Sequence, residues 1–229
     1  MRYDFITNEI LQNHKFFEIQ FDGEQQVYIH GDHSISIPTL GTQYGTFIGK
    51  EALFIDSNAS PIDISSFGDH ITLIFKYRIL NFNDTDTLFL GDFFGCYPNL
   101  YVGSRNKTYA GRSTLTVDGM GAIWTLTKKG FGNKTYTNYE LAFEIKPGQF
   151  KVWLNGKLMS KFEWEGLKAT SPYIRFYKGR YSPKFYLNDV FCINKSEFLP
   201  DQYTVNWREP WYDLIYKPIY FHNENFYSK

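Results

Sequence analysis

Between Tyr139 and Phe162 the chain alternates apolar and polar residues with a period of two, the mark of strands with one buried face. Tyr139, Leu141, Phe143 and Ile145 alternate with Glu140, Ala142 and Glu144. Phe150, Val152 and Leu154 alternate with Lys151 and Trp153. Pro147-Gly148 and Asn155-Gly156 interrupt the run. Proline presets φ, glycine accepts positive φ, and Asn-Gly is among the strongest short hairpin signals. The stretch predicts three consecutive antiparallel strands joined by tight turns.

Pairing Ile145 with Phe150 places Phe143 opposite Val152 and Leu141 opposite Leu154. The other face then sets Glu144 against Lys151 and Ala142 against Trp153, opposite charges together and small beside large. At the second turn, a two-residue Asn-Gly loop would put Lys157 and Lys161 on the face of Leu154 and Phe150. A three-residue loop or a bulge would put Leu158 there instead, and is the expected arrangement.

Short apolar, β-branched and aromatic runs recur at similar spacing along the chain, at residues 71–80, 88–92, 100–103, 113–117 and 122–127. Many short strands separated by turn signals point to a sandwich or barrel. Residues 17–22 read as a strand at a sheet edge, 6–14 as a short helix and 41–49 as a glycine-rich loop. The 229 residues make one large β domain with appendages, long enough for a sizeable core. Lysine plus arginine equals aspartate plus glutamate, 24 against 24, so no basic excess suits the chain to nucleic acid. Aromatics reach 20%, which favours strands and also binding surfaces. The two cysteines, Cys96 and Cys192, are too few for a disulfide framework and read as buried thiols or a single bridge. The N-terminus lacks the apolar core of a signal peptide, and no run reaches membrane-spanning length. A soluble chain without membrane insertion is expected.

Four stretches, in this order, resemble the concanavalin A-like jelly roll in its laminin-G/pentraxin form. They are residues 45–64, with Ala-Leu-Phe-Ile-Asp inside them; the long strand 71–80 with Leu-Phe-Leu-Gly-Asp after it; Phe150-Lys-Val-Trp-Leu-Asn-Gly-Lys-Leu; and Phe185-Tyr-Leu-Asn-Asp-Val-Phe-Cys-Ile. The resemblance implies an all-β, antiparallel two-sheet jelly-roll sandwich over residues 28–200, with an N-terminal arm (1–27) and an aromatic C-terminal tail (201–229). Trp207, Trp211, Tyr212, Tyr216, Tyr220 and Phe221 crowd that tail, which must wrap over its own domain or dock on another chain. These residues are the candidates for assembly, including a homo-oligomer.

Chemistry is harder to find. Paired carboxyls for glycoside cleavage should stand roughly 5 to 9.5 Å apart. Glu163 and Glu165, if on one strand, would share a face about 7 Å apart, but Gly166 interrupts the strand. Glu140 and Glu144 would be about 13 Å apart, too far. No nucleophile elbow, phosphate loop or Cys-x-x-Cys occurs. His30-Gly-Asp-His33 holds the one close histidine pair; a metal site would want further ligands and a rigid frame, and a surface loop is the expected reading. The family resemblance raises calcium, for which Asp84, Asp86 and Asp92 offer loop oxygens. Against a sugar ring, a flat aromatic side chain is needed. Trp153 faces away from the core set, and Trp124, Tyr101, Arg105 and Tyr177 lie on or beside other expected strands. Burial of Trp153 beneath a loop, a terminal arm or a neighbouring subunit is the competing reading.

The layout, a lectin-like domain with sticky termini and no leader, is similar to that of phage virion components such as tail fibres, receptor-binding proteins and capsid decorations. It implies a non-enzymatic binding or structural module within a particle, with other virion proteins and cell-surface glycan as partners. A glycoside hydrolase or polysaccharide lyase on the same fold is one alternative, with Glu163 and Glu165 as its acids. A purely structural protein without ligand is another.

Overall fold

The computed structural model describes residues 3–22, 25–31, 43–47, 50–55, 62–81, 92–97, 99–104, 112–118, 124–129, 138–163, 165–166, 168–174 and 184–207. Helix is confined, among these residues, to α1 (Asn8–Asn13) and a 3₁₀ turn at Ser65–Phe67. The Thr7 hydroxyl caps α1, accepting the Ile10 amide at 3.2 Å. Everything regular beyond these is strand, and every pairing between the named strands is antiparallel.

The strands run β1 (Phe16–Asp22), β2 (Gln25–Gly31), β3 (Gln43–Phe47), β4 (Lys50–Ile55), β5 (Ile62–Asp63), β6 (Ile71–Asn81), β7 (Asp92–Tyr97), β8 (Asn99–Ser104), β9 (Arg112–Asp118) and β10 (Trp124–Lys129). They continue with β11 (Asn138–Lys146), β12 (Gln149–Leu154), β13 (Lys157–Glu163), β14 (Lys168–Ile174) and β15 (Lys184–Ile193). Nine of them form one sheet, ordered β13-β12-β11-β6-β15-β1-β2, with β4 also on β15 and β3 on β4. Six form the second, ordered β10-β9-β8-β7-β14-β5. The expected all-β, antiparallel, two-sheet architecture is present.

The first hairpin has the expected register: Ile145 faces Phe150, Phe143 faces Val152, Leu141 faces Leu154, Glu144 faces Lys151 and Ala142 faces Trp153. The second differs in detail. Its loop is the two-residue Asn155-Gly156 turn, with φ of 49° and 75°, the paired positive values of a type I′ turn. Leu154 therefore faces Lys157, and Leu158 faces Trp153 rather than joining Leu154. A bulge then skips Met159, so that Phe162 faces Phe150 and Lys161 faces Lys151. The bulge keeps Lys161 off the apolar face after a turn that alone would have put it there.

Two other expectations give way. β1 is no edge strand, since it pairs with β15 on one side and β2 on the other. Residues 43–47 within the expected loop form β3, a hairpin partner of β4. The strand expected at 88–92 lies outside the described residues apart from Asp92, where β7 begins.

Both faces of the nine-stranded sheet are covered. Leu73, Phe75, Tyr77, Leu141, Phe143, Phe150, Val152, Val190 and Phe17 form one buried face. Phe143 stacks against Phe150 at 5.5 Å, and Phe17 meets Phe67 at 6.0 Å. The opposite face carries Ile74, Ala142, Trp153, Phe191 and Ile193, packed with Tyr3 and Leu199. Residues 3–14 and the segment 194–207, a strap across the sheet, supply that cover. Double coverage explains why residues 71–77 of β6 are all buried. Cys192 is a buried free thiol, and burial pushes its pKa up.

Candidate functional site

A strap laid on a sheet face must satisfy its own amides and carbonyls. The polar residues of that face do so. The Thr72 hydroxyl donates to Lys195 O at 2.5 Å, and Trp153 Nε1–H donates to Pro200 O at 2.8 Å. Glu144 Oε1 accepts the amides of Phe198 and Leu199 at 3.0 and 2.9 Å. Burial is the main force raising the Glu144 carboxyl pKa, and these amides oppose it.

The strap then docks on the Asn155-Gly156 turn. Leu158 N–H donates to Asp201 O, and Tyr203 N–H donates to Gly156 O, each at 2.8 Å. A β-carbon on Gly156 would stand 2.0 Å from Tyr203 O, so only glycine admits this approach. Asn155 locks the turn to β11: its Oδ1 accepts the Glu140 amide at 2.8 Å, and its amide donates to Glu140 O at 2.8 Å. The N-terminal arm adds aromatic cover: Phe5 and Tyr3 meet the Tyr203 ring edge-on at 5.0 and 5.5 Å.

Beneath the strap lies a row of buried charge. Glu140, Lys76 and Asp189 stand side by side on β11, β6 and β15. Lys76 Nζ is 3.9 Å from Glu140 Oε2 and 3.7 Å from Asp189 Oδ2, and none of the three side chains has exposed surface. Lys76 also donates to Asn206 O of the strap. The Tyr203 hydroxyl donates to Glu140 Oε1 at 2.9 Å. Burial pushes the Glu140 pKa up to about 8, the Tyr203 hydrogen bond opposes the rise, and Asp189 adds to it. Burial, with Glu140 beside it, pushes the Tyr203 phenol up. Glu140 and Asp189 lie near each other on either side of Lys76, and protonating Glu140 removes the repulsion between the two carboxylates.

Beside this row the strap and turn border an open recess of about 450 Å³, lined among the described residues by Asn138, Asn155, Tyr203, Thr204, Val205 and Trp207. The volume is that of a small-ligand site. Trp207 is half-buried, with Lys76 Nζ 5.4 Å from its ring centroid. Asn138 Oδ1 is buried and accepts no hydrogen bond among the described residues. An indole, two side-chain amides and a threonine hydroxyl can stack on an apolar face and hydrogen-bond its polar rim.

The residues expected to bind sugar do not gather here. Trp153 is 0% exposed and packs in the cluster beneath the strap. A ring without open surface cannot stack on a sugar, so the platform reading of Trp153 is corrected to burial under a terminal arm. The backbones of Tyr101 and Trp124 lie on β8 and β10, in the other sheet, facing Thr116 and Val117. Asp92 pairs with Tyr101. Arg105, Tyr177, Asp84, Asp86, Trp211, Tyr212, Tyr216, Tyr220 and Phe221 lie outside the described residues. Glu163 and Glu165 are exposed and are not among the described residues lining the recess. Glu163 pairs with Lys161 at 2.6 Å, and that lysine lowers its pKa. Among the described residues, no group of three or more His, Cys, Asp or Glu side chains is arranged to hold a metal, and no helix is long and apolar enough to cross a membrane.

Of the pocket residues, only Trp207 stands out in the sequence, as a candidate for assembly. Asn155 is visible there as a turn residue. Nothing local in the sequence links positions 138, 155 and 203–207.

No protein-family model matches the chain, and no curated protein matches it. Solved structures share its fold. The receptor-binding domain of botulinum neurotoxin type G superposes with a TM-score of 0.54 at 11% identity, over 79% of this chain and 48% of that one. The binding domain of botulinum neurotoxin DC, solved in complex with SialylT, gives 0.54 at 11% identity, over 80% and 48%. A Trypanosoma rangeli sialidase gives 0.53 at 10% identity, over 80% and 30%. The chain thus spans about half the length of the toxin domains it resembles. Binding domains and an enzyme share this architecture, so the fold alone does not assign a chemistry.

Proposed function

We propose that the chain is a non-enzymatic carbohydrate-binding module and that a sugar ring sits in the pocket against Trp207. The observation that carries this reading is the pairing of a half-buried indole with Asn138 and Asn155 around one 450 Å³ recess. The recess is held by a turn and a strap hydrogen-bonded to each other, the kind of rigid support a binding site needs. Receptor-binding domains of the same fold, one of them solved with SialylT, support the reading. A glycan array probed with the wild type and Trp207→Ala tests it. Binding by the wild type, lost in the variant with an unchanged urea midpoint, is expected. Equal binding by both forms, or none by either, overturns it, and the latter favours a purely structural role.

Hydrolysis by Glu163 and Glu165 finds little support. A general acid needs a raised pKa, and the salt bridge pulls that of Glu163 down. Glu140 does hold its proton, but with no exposed surface it has no path to a bound sugar. Polysaccharide cleavage that disappears in Glu163→Gln or Glu165→Gln would reverse this reading.

The same proposal places the module in a larger assembly, a phage virion, as a concanavalin A-like jelly roll fastened through its aromatic C-terminal tail. The sequence beyond Trp207 supports this, since Trp211, Tyr212, Tyr216, Tyr220 and Phe221 crowd residues 208–229. Neighbouring reading frames encoding portal, capsid or tail proteins would agree with it. Calcium at Asp84, Asp86 and Asp92 belongs to the same proposal and rests on closely spaced loop oxygens. A melting temperature raised by calcium and lowered by chelator would agree; an unchanged one would count against it.

A further inference from the structure

We infer that this pocket selects uncharged saccharides over acidic ones, an inference that rests on the carbohydrate-binding reading above. Among the described residues that line it, none carries a charged side chain. Lys76, whose Nζ stands 5.4 Å from the Trp207 ring centroid, has no exposed surface. It is already engaged by Asn206 O, Glu140 and Asp189 and lies against the Trp207 ring. Arg78 stands opposite Asn138 on β6, but it does not line the pocket and takes its own interactions within the fold.

A carboxylate or sulfate on a sugar would lose water on entering and meet no exposed cation among the described lining residues. Beneath the strap the Lys76 ammonium is held between Glu140 and Asp189, 3.9 and 3.7 Å away, which screens its charge from an entering anion. A neutral ring needs what the lining offers. Its hydroxyls can donate to Asn138 Oδ1, which accepts no hydrogen bond among the described residues. They can accept from the side-chain amide of exposed Asn155, whose Oδ1 already holds the Glu140 amide. The Tyr203 hydroxyl spends its proton on Glu140 and is left as an acceptor.

An array of matched glycans, each neutral member beside the same glycan capped with sialic acid or sulfated, tests the inference with the full chain. Neutral members should bind about tenfold or more tightly than their acidic partners, because an anion left without a partner is costly. That binding should change little with added salt. Equal binding of both members overturns the selectivity and leaves the carbohydrate reading in place. Tighter, salt-sensitive binding of acidic members also overturns it. If that preference then disappears in Arg78→Gln, the guanidinium is the anion's partner. Binding of no glycan at all removes the carbohydrate reading and the selectivity together.

Discussion

The Tyr203 hydroxyl donates a 2.9 Å hydrogen bond to Glu140 Oε1 across 63 positions of sequence. It ties the strap to the centre of the sheet at a carboxyl group with no exposed surface. Tyr203→Phe removes the donor and leaves a buried acceptor unsatisfied, which should cost about 1–3 kcal/mol in urea unfolding. Because that hydrogen bond lowers the Glu140 pKa, the variant should also move the Glu140 titration upward, readable by carboxyl NMR. A variant as stable as the wild type, with an unmoved titration, would show that this contact does not fasten the strap.

The Glu140 proton makes stability depend on pH with a definite sign. Burial is the main cause that lifts its pKa from 4.5 to about 8. Between those values the folded protein holds more protons than the unfolded chain, so stability falls as pH rises, and the loss is complete above about 8. The groups facing Glu140 are Lys76, Asp189 and Tyr203. Glu144, also raised by burial, adds to the same slope. The total loss should be on the order of a few kcal/mol. Urea midpoints from about pH 5 to about pH 9 should fall steadily for the wild type and more shallowly for Glu140→Gln. Identical slopes would count against Glu140 as the titrating group.

Gly156→Ala should be far more harmful than an ordinary surface glycine change. Gly156 has a φ of 75°, and an added β-carbon would stand 2.0 Å from Tyr203 O. Strain at the turn and displacement of the strap should together cost about 1–3 kcal/mol or more. Amide exchange at Tyr203, whose N–H donates to Gly156 O, should speed up. Unchanged exchange there would mean that the strap does not rest on the turn.

Trp153 supplies packing and one hydrogen bond, to Pro200 O. Trp153→Ala should cost about 3–5 kcal/mol, measured by urea unfolding. Trp153→Phe should keep glycan binding while losing part of that stability. Loss of binding in a well-folded Trp153→Phe would return this ring to the binding surface.

The sheet was legible in the sequence where its pattern is local. Alternation and opposite-charge pairing sufficed to place Ala142 against Trp153 and Glu144 against Lys151. The cover over the second face was not legible. Nothing in the local pattern marks the charged residues Lys76, Glu140 and Glu144 for the interior, yet all three are buried. Their burial depends on residues 194–207 crossing the sheet, a long-range contact that no local period encodes. The pocket escapes a sequence reading for the same reason. Asn138 and Asn155 meet across a hairpin, but Thr204, Val205 and Trp207 reach them only because Tyr203 docks on Gly156.

The most direct test of the central claim is hydrogen–deuterium exchange of the full chain with and without a neutral oligosaccharide found to bind it. Protection confined to the amides around Asn138, Asn155 and residues 203–207 is predicted. Protection on the strands of the other sheet, β7 to β10, with none around Trp207, would contradict the assignment of the pocket.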